Sequence, residues 1–405
     1  MLYSISSLFK VTRHVTLLNI FFSLVFFANL GQAKAEITLS SSAKEQIRVV
    51  INNFKEEQKS PAVSIAVGRN GSVIWEDAVG FADIENSVAA TPKSRFRNAS
   101  IDKWLTATAT MLLVEQGKID LDKPVQEYCK AYPKKKWVIP VRTLLNHTSG
   151  VRHYWDSLEE PEDPIERQER QQKIEEEGNG FLVRYTDVTK AIDPFKDDPL
   201  LYEPGSKMMY TSHGYRLLGC VMEGAAKTPY SELMTRLIFE PSGMTETVPD
   251  DAWAIIPNRV QGYSLDDDEN IRRANFRDIS ENLAAGGHLS TARDLVRFAG
   301  SWNAGKLVND ASKDKMVARG AHVEEAAQEY YGYGVSVITV KTSTGEQVPV
   351  FVGHGGGQEG TATALTLSLK TGLAVSIMIN QDTVEGRRKL ALAIFEIINN
   401  DLDLN

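Results

Sequence analysis

The chain has 405 residues, 42% hydrophobic and 24% charged, an ordinary globular balance with length for one large core or two subdomains sharing a cleft. Its 53 acidic against 45 basic residues give a net charge of −8, which argues against nucleic acid or anionic lipid as a partner. Two cysteines, Cys129 and Cys220, are too few for a disulfide framework and are expected as separately buried thiols, with pairing left open in an oxidising compartment.

Met1 to Arg13 carries Lys10 and Arg13 without an acid, Leu17 to Leu30 is mostly apolar, and Ala33-Lys34-Ala35 is an A-x-A cleavage pattern. Residues 1–35 therefore read as a secretory signal peptide cleaved near Ala35, and an exported, periplasmic or secreted protein is expected. An uncleaved membrane anchor is the alternative, although the apolar run falls short of the ~20 residues a span needs.

The remaining domain runs over 36–405. Ile47, Val50, Ile51 and Phe54 form one helical stripe between Ala43 and Gln58, with Ser41 at the N-cap position. Asn70-Gly71 separates two apolar runs and predicts a hairpin. Ser100 opens a helix that continues to Val114 and stops at Gly117. Asp156 to Glu177 holds ten acidic and three basic residues, the pattern of a solvated helical insertion or flap. Thr291-x-x-Asp294 reads as a capping box. Beyond it Tyr333–Val340, Val348–Val352, Thr361–Leu369 and Leu373–Asn380 alternate as antiparallel strands, and a last helix is expected from about Val384 to Asn399. Strands at both ends with helices between them predict an α/β fold of α+β type. Its antiparallel sheet, flanked by terminal helices, would come from about 36–98 and 281–405, with an inserted α-helical subdomain over about 99–280.

Ser-x-x-Lys occurs four times, at Ser7, Ser41, Ser100 and Ser312, so the spacing alone decides nothing. Only Ser100 combines a helix start with an apolar flanking pattern. There, Lys103 projects from the same face less than one turn on, where a partly deprotonated amine can take the hydroxyl proton and make Ser100 a nucleophile. Tyr210 is the only one of thirteen tyrosines followed two places on by Ser or Asn, here Ser212. Beside a lysine it could be held near its phenolate and shuttle protons, or it could be a core tyrosine at a helix start. Gly353-His354-Gly355-Gly356-Gly357 lies between two strands. Its glycines admit a substrate backbone, a free N–H near Gly357 can serve an oxyanion hole, and His354 can supply a donor or protonatable group; a plain glycine-rich hairpin is the alternative. The seven histidines show no metal-ligand spacing, and no metal or cofactor is expected.

Ser100-x-x-Lys103, Tyr210-x-Ser212 and His354-Gly355-Gly356, in that order, resemble the serine β-lactamase and penicillin-binding-protein superfamily, over about Ala43 to Asn399. Leu144 to Gly150, Glu203-Pro204-Gly205 and Ala285 to Thr291 support the resemblance, with His147 and Ser149 expected to shape a loop beneath the site. Gly150 to Tyr154, the charged insertion and Phe195 to Leu200 are similar to the serine β-lactamase-like branch known from mitochondria, described as proteases or peptidases.

The resemblance implies Ser100 as acylated nucleophile, Lys103 as its activating amine and Tyr210 as general base and acid. It also implies His354 in place of the usual Lys-Thr-Gly lysine, with N–H groups of Ser100 and Gly357 as the oxyanion hole. Ser212 stands where class C enzymes carry Asn, and loss of the strand lysine weakens recognition of a β-lactam carboxylate. Asp102 is an unusual neighbour that would raise the Lys103 pKa. Lys370-Thr371-Gly372 spells the missing motif but sits where a hairpin turn is expected. The expected function is an exported serine hydrolase acting on a small-molecule or peptide substrate, as a peptidase or amidase of DD-carboxypeptidase or β-lactamase-like type. A carboxylesterase or β-lactamase on the same site, and a catalytically weak penicillin-binding or scaffold protein, are the alternatives. A conventional α/β-hydrolase is excluded, since the chain has no Gly-x-Ser-x-Gly.

Overall fold

Period-two patterns at the two ends of the chain build one eight-stranded sheet in the computed structural model, which describes residues 37–320, 324 and 327–404. The expected signal peptide lies outside the described residues. The strands are β1 (Ala62–Arg69), β2 (Ser72–Asp83), β3 (Val88–Ala89), β4 (Glu329–Tyr331), β5 (Ser336–Lys341), β6 (Gln347–Gln358), β7 (Thr361–Ser368) and β8 (Leu373–Ile379). Their order is β3-β2-β1-β8-β7-β6-β5-β4, every pairing antiparallel. The sheet is mixed with helices, as the sequence predicts. Asn70 and Gly71 both take positive φ, 50° and 88°, and close the β1–β2 hairpin. Thr371-Gly372 turns β7 into β8, so the literal Lys-Thr-Gly is a hairpin corner.

Alternation sorts the strand residues into two cores. Val63, Ile65 and Val67 of β1 and Val375, Ile377 and Ile379 of β8 face helices α1 (Ser41–Glu57) and, at the C-terminal end, Arg387–Asp401, meeting Ile47, Ile51, Ile394 and Ile398. Ala62, Ala66, Ala374 and Met378 face the opposite layer, which contains the helices between the two sheet halves. Each fully buried aliphatic side chain contributes about 1.5–3 kcal/mol. The α1 cap is Ser40, one residue before the expected Ser41, because its hydroxyl reaches the Ala43 N–H at 3.1 Å. Thr291 caps its helix as expected, but the box is half formed. The Asp294 carboxylate accepts from the Glu246 N–H (2.7 Å) instead of returning to Thr291.

Helix α2 (Asp102–Glu115) is buried almost all round, as a helix at the centre of a fold must be, and ends at Gly117 with φ 67°. Trp104 meets Phe298 and Trp302 edge-on at 5.2 and 5.4 Å. The charged insertion forms α3 (Pro164–Gly180), followed by α4 (Ser212–Ala226). Cys129 and Cys220 are not free thiols. They form a disulfide, because the chain after Val125–Glu127 packs so tightly on α4 that a Cβ at Gly224 would lie 2.1 Å from the Tyr128 carbonyl. Among the described residues no helix is long and apolar enough to cross a membrane.

Candidate active site

Ser100 sits in a 3₁₀ turn, Ala99–Ile101, that runs directly into α2. Its side chain is partly accessible, whereas Lys103 has no exposed surface. Ala99 holds φ 47°, a conformation that costs a non-glycine residue of order 1–3 kcal/mol. Close packing enforces it: Cβ atoms added at Gly286 and Gly356 would lie 3.0 Å from Ala99 C and 2.9 Å from Ala99 Cβ. The turn is thus clamped between β6 and the Ala285-Gly286-Gly287 segment.

The Lys103 Nζ lies 3.0 Å from Ser100 Oγ, 3.2 Å from Ser212 Oγ and 2.9 Å from the Ala285 carbonyl. Burial lowers its pKa to about 7; the Asp102 charge opposes this and the Arg216 charge adds to it. The expectation for Asp102 therefore holds in sign and is overridden in size. Its carboxylate is turned away, accepting from Asn98 Nδ2 (2.7 Å) and the His288 N–H (2.9 Å) and meeting His288 Nδ1 at 3.0 Å.

Tyr210 immediately precedes α4, and two imidazoles fix that junction. His147 Nδ1 accepts from the Thr211 N–H at 3.2 Å, and His153 Nδ1 from the Ser212 N–H at 3.3 Å. Both rings are held neutral. Burial pushes His147 well below its ordinary value and His153 down to about 3, and the Lys103 charge adds to each. The Tyr210 ring packs on His147 with centroids 4.3 Å apart, and Lys103 Nζ stands 4.9 Å from its centroid. The near-phenolate expectation is corrected here. Burial drives the phenol above its ordinary pKa, and the Ser100 hydroxyl offsets this only in part.

His354 is part of β6 rather than of a loop between strands, and it is not a substitute cation. Burial lowers it to about 3, and both ring nitrogens are engaged, Nδ1 with the Gly355 carbonyl (2.5 Å) and Nε2 with Tyr331 Oη (2.9 Å). The β5 strand pairs with β6 only as far as Gly353, so His354 to Gln358 extend past it and, among the described residues, leave that edge without a strand partner. Gly355 and Gly357 are exposed along it, and Gly356 is buried against the Ser100 turn. The structure thus gathers Ser100, Lys103, Tyr210, Ser212, His354 and Gly356 around one amine and one strand edge.

Tyr331 and the amide-accepting role of His147 and His153 escape a reading by sequence. The Tyr330-Tyr331 pair shows only that one of the two faces inward, while the Leu144 to Gly150 and Gly150 to Tyr154 segments did mark both histidines as part of the pattern. Among the described residues no three His, Cys, Asp or Glu side chains gather as a metal cage.

The human serine beta-lactamase-like protein LACTB, mitochondrial, is 29% identical over 305 residues, 63% of this chain and 56% of that protein. The putative penicillin-binding protein PbpX of Bacillus subtilis (strain 168) is 25% identical over 77% of this chain and 72% of its own length. The chain spans a little over half the length of the mammalian relatives it matches. D-amino acid amidase from Ochrobactrum anthropi SV3, complexed with L-phenylalanine amide, shares the fold with a TM-score of 0.70 at 23% identity, over 89% of this chain and 99% of that one. The penicillin binding protein from Bacillus halodurans does so with 0.68 at 22%, over 86% and 98%. The beta-lactamase family model matches residues 47–398, which take in every element of the site, and the chain belongs to that family.

Proposed function

We propose that the protein is an exported serine hydrolase that forms an acyl-enzyme on Ser100, as a peptidase or amidase of DD-carboxypeptidase or β-lactamase-like type. One observation carries this reading: a fully buried amine with a pKa of about 7 lies 3.0 Å from a partly accessible serine hydroxyl. Neutral Lys103 takes the Ser100 proton as Oγ attacks the carbonyl carbon. Negative charge collects on the carbonyl oxygen, facing the Ser100 and Gly357 N–H groups. Tyr210, a phenol at rest, gives its proton to the departing nitrogen or oxygen and is reprotonated from the Lys103 ammonium; water then repeats the sequence in reverse. The Cys129–Cys220 disulfide supports export, since such bonds persist in oxidising compartments.

The neutral, internally bonded His354 favours substrates that need no strand cation, which sets amides and esters ahead of β-lactams. The D-amino acid amidase named above has the same fold and supports the amide reading. A fluorophosphonate probe tests the proposal: labelling that disappears in Ser100→Ala is expected. No adduct on the wild-type protein would leave the catalytically weak binding protein as the reading. Nitrocefin, a D-Ala-D-Ala peptide, amino acid amides and p-nitrophenyl esters then rank the leaving groups.

A further inference from the structure

Nine of the ten acidic residues between Asp156 and Glu177 are on the surface or in solvated pairs; the last one is not. The Glu177 side chain is 9% exposed and pairs at 2.9 Å with Arg152, itself 2% exposed. Its second oxygen accepts from the Trp155 N–H at 2.9 Å, and His213 Nε2 lies 3.6 Å from the first. Arg152 is also bonded to Asp198 (2.6 Å) and lies 4.3 Å from the Trp155 ring centroid. One carboxylate therefore seats α3 on a guanidinium buried beneath α4.

That guanidinium belongs to the backbone that holds the start of α4. The Arg152 carbonyl accepts from Thr211 Oγ1 at 2.6 Å, and Thr211 caps α4 through the Gly214 N–H. His153, next in the chain, accepts the Ser212 N–H. Tyr210 and Ser212 flank Thr211, and Ser212 Oγ contacts Lys103. From Glu177 the path to the reacting lysine runs by ion pair to Arg152, by hydrogen bond to Thr211, along the chain to Ser212 and by hydrogen bond to Lys103.

We infer that Glu177 is a positioning residue: by docking the charged insertion onto Arg152 it holds Tyr210 and Ser212 in register with Lys103. The inference rests on the reading of Ser100 and Tyr210 as an acylation site. Without Glu177, Arg152 keeps the Asp198 carboxylate and the His153 and Pro194 carbonyls (2.8 and 3.4 Å) but loses its tie to α3 and can shift toward those partners. The Thr211 cap then loosens. A displacement of this kind, remote from the reacting atoms, slows chemistry up to a hundred-fold while leaving ground-state binding nearly unchanged.

The test compares Glu177→Ala, Glu177→Gln, Glu175→Ala and Glu176→Ala in the full-length protein by fluorophosphonate acylation, separating the maximal rate from the probe concentration at half-maximal rate, with end-point labelling to count active sites and a thermal midpoint for each. Glu177→Ala is expected to slow the maximal rate per active site about ten- to a hundred-fold at unchanged half-saturation. Glu177→Gln should fall between, because its amide oxygen can accept from Arg152 or from Trp155 but not both. Glu175→Ala and Glu176→Ala remove the same charge from exposed positions and should match wild type. Overturning results are a Glu177→Ala rate per active site equal to wild type, even with a lowered thermal midpoint, or equal slowing by the two exposed variants. Wild-type protein that does not label at Ser100 overturns the hydrolase reading instead.

Discussion

Burial changes the chemistry of Lys103 at the centre of the site. An ammonium with no exposed surface is penalised by desolvation, and the nearby Asp102 charge cannot restore it because that carboxylate is already spent on Asn98 and the His288 backbone. The resulting value of about 7 sets the pH dependence. In the proposed mechanism the base form is the active one, so kcat/KM should rise with pH through about 7 and reach roughly a tenth of its plateau at pH 6. Tyr210 is pushed the other way, above the ordinary phenol value, and stays a proton donor across this window. A pH–rate profile with the best ester substrate checks the sign. A profile flat from pH 5.5 to 8 would remove Lys103 as the base. The Ser-x-x-Lys spacing was legible because it depends on one helical turn. The turned-away orientation of Asp102 was not, since it depends on His288, distant in sequence.

At the scale of elements, the glycines of β6 are not equivalent. A Cβ at Gly356 would meet Thr363 Oγ1 at 2.3 Å, the Asn98 carbonyl at 2.7 Å and Ala99 Cβ at 2.9 Å; at Gly355 the nearest atom is 3.8 Å away. Gly356→Ala must therefore push β6 and the Ser100 turn apart, at a cost of about 1–3 kcal/mol for overpacking. It is expected to lower the thermal midpoint and to slow Ser100 labelling together, while Gly355→Ala leaves the midpoint unchanged. Equal midpoints for the two variants would show that the turn is not clamped as described. The strand periodicity predicted β7 and β8 to within a residue or two at each end. It stopped β6 at Val352, because glycines carry no hydrophobic signal even where the backbone pairs with β7. Positions that depend on contact between distant segments, such as Tyr331 against His354, carry no local mark at all.

Across the whole molecule, both ends of the chain meet in one sheet, and the helices between them form an excursion that begins and ends next to it. Local patterns were enough to identify the two halves of that sheet. They could not pair Cys129 with Cys220, since 91 residues separate them and only the approach of Tyr128 to Gly224 brings the sulfurs together. This cross-link lies wholly within the helical excursion and bridges it at α4, the helix that begins at Ser212, just after Tyr210. Closing a loop of that length restricts the unfolded chain more than the folded one, and a native disulfide typically stabilises by about 2–4 kcal/mol. Urea unfolding of the oxidised protein, of the reduced protein and of the Cys129→Ala/Cys220→Ala double variant measures the contribution. Both reduced forms should unfold at lower urea than the oxidised one. Their activity below the transition should persist, because no bond that aligns Lys103 with Ser100 and Ser212 involves either sulfur. Loss of labelling in a reduced protein that is still folded would instead make the disulfide part of the machinery that places α4.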